Sequence, residues 1–214
     1  DNQVKAIMIA EKFAANLEKV IGKTDIKTVI ATSIGELLGG MKGWVTDLAV
    51  KRIKKMVPKY NIPNTVKFKD ALKQGKKFEL NTDFANEPDT VIVHQYTGGT
   101  TGVSKGAMLT NKNLVSNMLQ LSAIFKPYMT KDVERIVLCP LPLYHIYAFS
   151  CNCLAMMDTG SLSVLITNPR DLSTIIKEFN RYKVTGMTGV NTLYNGLNNH
   201  PDLKNVDLSH MEFA

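Results

Sequence analysis

The stretch Thr90-Val91-Ile92-Val93-His94-Gln95-Tyr96-Thr97-Gly98-Gly99-Thr100-Thr101-Gly102-Val103-Ser104-Lys105-Gly106 decides how this chain is read. Thr90 to His94 is β-branched and apolar, the composition of a buried strand. It feeds directly into Thr97-Gly98-Gly99-Thr100-Thr101-Gly102, after which Thr110 is placed to cap a helix over Asn111 to Phe125. The three glycines, Gly98, Gly99 and Gly102, let the backbone take positive φ and approach a ligand closely, so successive amides can point at phosphate oxygens. Thr97, Thr100 and Thr101 add hydroxyls and Lys105 adds a cation, a donor set suited to the β- and γ-phosphates of a nucleoside triphosphate. Spacing excludes the two commoner nucleotide loops. A Walker loop needs a second glycine where Val103 stands and Ser or Thr where Gly106 follows Lys105, and the dinucleotide pattern G-x-G-x-x-G does not occur here. The competing explanation, a Gly/Thr-rich surface turn, would suffice for Gly-Gly-Thr alone but not for a patterned run between a strand and a helix.

Outward from this loop, strands and helices alternate. Lys5 to Ile9 and Thr28 to Thr32 read as strands around an amphipathic helix, Glu11 to Ile21. Past the middle, Ser161 to Thr167 reads as a strand, Leu172 to Tyr182 as a helix with Asp171 at its N-cap, Val184 to Met187 as a strand and Thr192 to Asn198 as a helix. Such alternation predicts an α/β fold with helices on a mostly parallel sheet. The chain divides into a βαβ segment over 1–89 and a segment over 90–214 that carries the phosphate loop.

Residues 41 to 59 hold six basic side chains against one acid. Over 41–57, Val45, Leu48, Ala49, Ile53 and Met56 share one helical face while Asp47, Lys51 and Lys54 lie opposite; Arg52 interrupts the apolar side. That pattern fits either an interfacial helix on an anionic membrane or an ordinary surface helix packed on its own domain. Pro58 and Pro63 end it ahead of a solvated connector, Lys67 to Lys77, with a short helix.

Composition narrows the partners. The 214 residues carry 26 Lys and Arg against 19 Asp and Glu, a formal charge of +7 that favours anionic ligands. The basic stretches are not interleaved with aromatic stacking platforms, so no nucleic-acid partner is expected. Cys139, Cys151 and Cys153 are too few and too close for a disulfide framework and read as small core residues in a reducing, cytoplasmic setting, in preference to a metal site with His145. No apolar run reaches the ~18 to 20 residues that a membrane-spanning helix needs. Starting at Asp1 without Met and stopping at Ala214 without an evident cap, the chain reads as an internal portion of something longer.

Tyr96 to Gly106 resembles the signature [ST]-[ST]-G-T-T-G-x-x-K-G of the adenylate-forming enzymes, the superfamily of acyl-CoA synthetases, aryl-CoA ligases, luciferases and peptide-synthetase adenylation domains, with Gly99 where Ser or Thr is frequent. The form Tyr-Thr-Gly-Gly-Thr-Thr-Gly is similar to that of the bacterial long-chain fatty acyl-CoA synthetases. Ala107-Met108-Leu109-Thr110-Asn111, Leu141-Pro142-Leu143-Tyr144-His145-Ile146-Tyr147, Leu165-Ile166-Thr167-Asn168-Pro169-Arg170-Asp171 and Thr188-Gly189-Val190-Asn191-Thr192-Leu193 continue the resemblance over nearly the whole chain.

This resemblance implies a partial N-terminal domain of the acetyl-CoA synthetase-like fold, without its C-terminal domain. The implied reaction is ATP-dependent activation of a long-chain fatty acid to acyl-adenylate, followed by transfer to coenzyme A, with Mg²⁺ on the triphosphate. By the same resemblance, Tyr96 through Ala107, including Val103, Ser104, Lys105 and Gly106, hold ATP. Thr100 and Thr101 supply oxygen to the metal, and Lys105 and His145 are the catalytic side chains. Tyr144, His145, Phe149, Gly189 and Val190 border the acyl substrate, with His145 orienting an already ionised carboxylate and not acting as a base. Phe149 falls where a related synthetase has a bulkier aromatic gate. The adenine loop, Thr-Glu element, ribose-binding Asp and catalytic Lys of the family are expected beyond Ala214, and this portion alone is expected to be inactive. An aryl- or medium-chain-CoA ligase and a non-catalytic nucleotide-binding relative are the alternative readings. The expected setting is the cytoplasm, with peripheral contact at the inner face of the cell membrane.

Overall fold

A computed structural model describes residues 4–82, 87–97, 104–129 and 134–214. The chain forms two compact units, Asp1–Asp83 and Phe84–Ala214.

The first unit is built on three parallel strands in the order β1 (Ala6–Ala10), β2 (Thr28–Thr32), β3 (Val66–Lys67). Between β1 and β2 runs α1 (Glu11–Ile21), whose bounds match the periodicity of the sequence. Ala14 and Leu17, one turn apart, are buried against Val29 of β2 and Ile62, with Ile7, Ile9, Ile21 and Ile26 packed around them. Each such branched aliphatic side chain contributes about 1.5–3 kcal/mol when fully buried. The unit continues through α2 (Gly40–Leu48), a π-helical turn at Ala49–Ile53 and α3 (Phe68–Gly75).

The helix expected over 41–57 is therefore shorter and irregular: α-helical pairing stops at Leu48, and Lys55 takes φ 48°, which no helix accommodates. Its orientation is also the reverse of a surface helix packed by its apolar side. Asp47 turns inward, where its carboxylate accepts from Ser33 Oγ at 2.6 Å and from Gly35 N at 2.8 Å. Buried Gly43 lies so close to Gly35 that a Cβ on either would overlap the other's carbonyl oxygen. Lys51 pairs with Glu11.

In the second unit β4 (Val91–Thr97) pairs antiparallel with β5 (Lys105–Thr110), followed by α4 (Asn111–Phe125). This corrects the expected passage from strand through loop to helix: Lys105, Gly106 and Ala107 belong to a second strand. The cause is non-local pairing, which overrides the weak strand propensity of Lys, Gly and Ala. The capping expectation holds, since Thr110 Oγ1 accepts from Asn113 N at 3.2 Å and Asn113 Oδ1 accepts from Thr110 N at 3.0 Å.

A parallel sheet follows, ordered β7 (Leu162–Leu165), β6 (Ile136–Cys139), β8 (Gly186–Met187), so the earliest strand in sequence is central and all four of its residues are buried. Between β6 and β7 the chain makes α5 (Ile146–Ala148), a π-helical segment Phe149–Ala155 and α6 (Met156–Asp158). Leu138 packs on one face against Ile175, Ile176 and Phe179 of α7 (Leu172–Arg181) and Leu193 and Leu197 of α8 (Asn191–Asn198). Val137 packs on the other against Ala155 and Met156, beside the stacked rings of Phe125 and Phe213, 4.9 Å apart. Both strands expected here are shorter than their apolar runs, because pairing along β6 covers only four and two residues. Asp171 occupies the N-cap position of α7 but accepts from Thr174 Oγ1 at 3.0 Å and not from a backbone amide.

Candidate active site

In an open parallel sheet, ligands sit outside the carboxyl ends of the strands, where connecting loops converge. Pairing of Leu138 with Met187, and donation from Thr188 N to Leu138 O at 3.3 Å, puts the ends of β6 and β8 side by side. The loop after β6 carries Tyr144, His145 and Phe149; the one after β8 carries Gly189 and Val190. The parallel register thus brings the two groups of acyl-site candidates to one end of the sheet.

His145 is exposed and stands at the N-cap of α5 with extended backbone, φ −82° and ψ 134°. Its own N–H donates to Pro142 O at 2.9 Å, which closes the turn that Pro140 and Pro142 predispose. Imidazole Nδ1 accepts from Tyr147 N at 3.3 Å. With Nδ1 used as an acceptor, the neutral ring carries its proton on Nε2, leaving an N–H donor available to an anionic oxygen. Next to it, Tyr144 is 82% exposed. Phe149 begins the π-helical segment, a widened turn that recurs at functional sites.

A hydrogen bond joins the hairpin to this region: Gln95 Nε2 donates to Tyr144 O at 3.1 Å. Across the hairpin Thr97 is paired with Lys105 and Tyr96 with Gly106, so the bare Cα of Gly106 lies beneath the Tyr96 ring. Ser104 Oγ donates to Thr97 O at 2.9 Å and ties the two strands at the tip. Lys105 is exposed. Gly98, Gly99, Thr100, Thr101, Gly102 and Val103, assigned to the phosphates and, for the two threonines, to the metal, lie outside the described residues.

Gly189, expected to border a substrate, has a packing role in the structure. A Cβ there would meet the ring of Tyr194 at 3.0 Å, so the glycine admits that ring against the backbone. Tyr194 OH donates to Met187 O at 2.9 Å, and burial followed by the neighbouring Tyr147 phenol pushes its pKa up to about 12. Tyr147 is in turn raised by burial and by Cys151. Below these groups Thr188 Oγ1 donates to Asn152 Oδ1 at 2.7 Å, both residues being buried. Cys139 and Cys151 are buried free thiols whose pKa values are raised by desolvation, as core residues should be.

Sequence reasoning did not identify Gln95 or Tyr194. Gln95 had one weak signal, a polar amide inside an otherwise apolar strand. Tyr194 had none, since its role depends on the turn of α8 back over Gly189.

Comparison with known proteins identifies the family. The chain spans about 38% of the length of curated relatives that it matches. It is 42% identical over 214 residues to a long-chain-fatty-acid–CoA ligase of Salmonella typhimurium and 40% identical over 215 residues to one of Haemophilus influenzae, in both cases across 100% of this chain. The crystal structure of the anthranilate CoA ligase AuaEII in complex with anthranoyl-AMP superposes with a TM-score of 0.66 at 13% identity, covering 98% of this chain and 35% of that one, which supports the fold. The family model for AMP-binding enzymes matches residues 10–214, hairpin and sheet-end loops together, and the chain belongs to that family.

Proposed function

We propose that the whole protein is a long-chain-fatty-acid–CoA ligase. The observation that carries this reading is the Gln95–Tyr144 hydrogen bond, which holds a phosphate-type hairpin against the loop bearing His145. In the first half-reaction a carboxylate oxygen of the fatty acid attacks the α-phosphorus of ATP, forming the acyl phosphate bond as the bond to pyrophosphate breaks. In the second the CoA thiol sulfur attacks the acyl carbon, gives up its proton and releases AMP.

Neither half needs a nucleophilic side chain, so the chain's residues act by position and charge. Lys105 faces the polyphosphate, where negative charge grows on the leaving group, while the hydroxyls of Thr97 and Ser104 donate to Lys105 O and Thr97 O and brace the two strands beside it. His145 Nε2–H donates to the carboxylate or to an α-phosphate oxygen. Mg²⁺ bound with the triphosphate would supply charge neutralisation. The hydroxyl oxygens of Thr100 and Thr101 are of the ligand type a hard cation takes. Tyr144, Phe149, Gly189 and Val190 border the acyl group. The reaction is placed at the cytoplasmic face of the membrane, where long-chain acids arrive.

Acyl-adenylate formation by the whole protein, followed as ATP–pyrophosphate exchange, tests this with two variants. His145→Leu removes the donor and should lower kcat/KM with palmitate about 10- to 100-fold, the range for a hydrogen bond to a charged group. His145→Gln keeps an N–H and should recover part of it. Wild-type kcat/KM in His145→Leu, or turnover higher with benzoate or octanoate than with palmitate, would overturn the assignment.

A further inference from the structure

The orientation of α2 leaves an apolar ridge facing out of the first unit. Gly43 and Asp47, one turn apart, form the inward stripe through the Gly35 approach and the two hydrogen bonds to Ser33 and Gly35. The opposite stripe, at i, i+3, i+4 and i+7, is Met41, Trp44, Val45 and Leu48, of which Met41 is 82% and Trp44 66% exposed. Ile53 in the π-helical turn is 76% exposed. A helix packed on its own domain buries its apolar stripe; this one buries its acid and its glycine.

Charge on the outer side of the ridge has one sign. Lys42, Arg52, Lys54 and Lys55 are exposed around it, and the acid of the segment, Asp47, is turned inward as acceptor. On its inner flank Trp44 borders a crevice of about 300 Å³ where Lys51, Lys67 and Lys69 are balanced by Glu11, Glu36 and Asp47, so the unpaired cations are those on the outer side. Apolar side chains that include an aromatic, bordered by cations, are complementary to a bilayer interface: the hydrocarbon boundary takes the ridge and acidic headgroups take the lysines.

We infer that 41–55 is a bilayer-docking surface for anionic lipid, with Met41, Trp44 and Leu48 inserted and Lys42, Lys54 and Lys55 at the headgroups. The surface belongs to the first unit and shares no residue with the hairpin or the sheet-end loops, and the inference stands on the ridge itself whatever acid the enzyme activates. A lysine near an anionic surface contributes about fivefold to partitioning, so three together contribute about a hundredfold.

The test is co-sedimentation of the whole protein with phosphatidylcholine vesicles, with and without phosphatidylglycerol. Wild type should bind the anionic vesicles and not the neutral ones. The charge variant Lys42→Glu/Lys54→Glu/Lys55→Glu and the apolar variant Met41→Ser/Trp44→Ser/Leu48→Ser should each bind about a hundredfold more weakly, with unchanged Tm. Undiminished binding of either variant overturns the inference. So does a lowered Tm in the apolar variant, because it would mean that further polypeptide or a second copy covers the ridge. Acyl-adenylate formation in detergent-free solution should be the same in both variants. If turnover with palmitate is absent in wild type while vesicle binding behaves as expected, the ligase reading fails and the docking surface stands.

Discussion

Tyr194 shows how a side chain outside every motif can shape a site. Its ring fills the space that Gly189 leaves open, and its hydroxyl donates to Met187 O. Because burial favours the neutral phenol, its pKa rises from 10.0 to about 12. A raised folded-state value means that the stabilisation is complete below pH 10, the unfolded value, and is lost as pH rises through 12. An ultraviolet titration of the tyrosinates should therefore show one late-ionising group that is missing in Tyr194→Phe, and the variant should lose about 1 kcal/mol from the deleted hydrogen bond. Identical titration curves would count against the buried phenol. At this scale the sequence was uneven as a guide. Lys105 and His145 were singled out by resemblance to a family's motifs, and the structure adds that His145 Nδ1 is an acceptor, which leaves Nε2 as the donor of the neutral ring. Gln95 and Tyr194 were not legible, because each acts on a residue far from it in register or across a turn of helix.

Among elements, α1 and β2 follow the apolar periodicity to the residue, since each packs one face on a local core. The hairpin does not. Lys105-Gly106-Ala107 has no strand composition, and only pairing with Thr97, Tyr96 and Gln95 makes it β5. The facing of α2 was left between two readings for a related reason: an apolar stripe alone does not say whether it points inward, and here the Asp47 hydrogen bonds and the Gly35–Gly43 approach decide it. Where local chemistry is sufficient, as at the start of α4, the expectation was right. Thr110 and Asn113 satisfy each other's backbone amides, and Thr110→Ala should cost about 1 kcal/mol in a denaturant titration. Because β5 ends at Thr110, the same substitution should also speed hydrogen exchange in the first turn of α4 while leaving α7 unchanged. Equal acceleration in both helices would mean that the cap is not the local support described.

On the scale of the whole chain, the two units have separate cores. Ala14, Leu17, Val29 and Ile62 make one cluster; Leu138, Ile175, Ile176, Phe179 and their neighbours make another, with no residue in common. The alternating pattern of strands and helices announced an α/β fold, and the chain was read as segments 1–89 and 90–214, but periodicity alone does not say which apolar faces meet within each. A unit with its own core can open on its own, so a cavity made in one core should loosen that unit first. Leu17→Ala and Ile175→Ala each remove a well-buried aliphatic side chain at a cost of about 2–5 kcal/mol. Hydrogen exchange on the whole protein should then report Leu17→Ala as faster exchange in β1 and β2 with β6 unchanged, and Ile175→Ala as faster exchange in β6 and β8 with β2 unchanged. The double variant should show the sum of the two effects to within about 0.5 kcal/mol, as distant sites without shared partners do. If either single variant accelerated exchange equally in β2 and β6, the two cores would be opening as one cooperative body, and the separation of the docking ridge from the sheet-end site would no longer isolate vesicle binding from turnover.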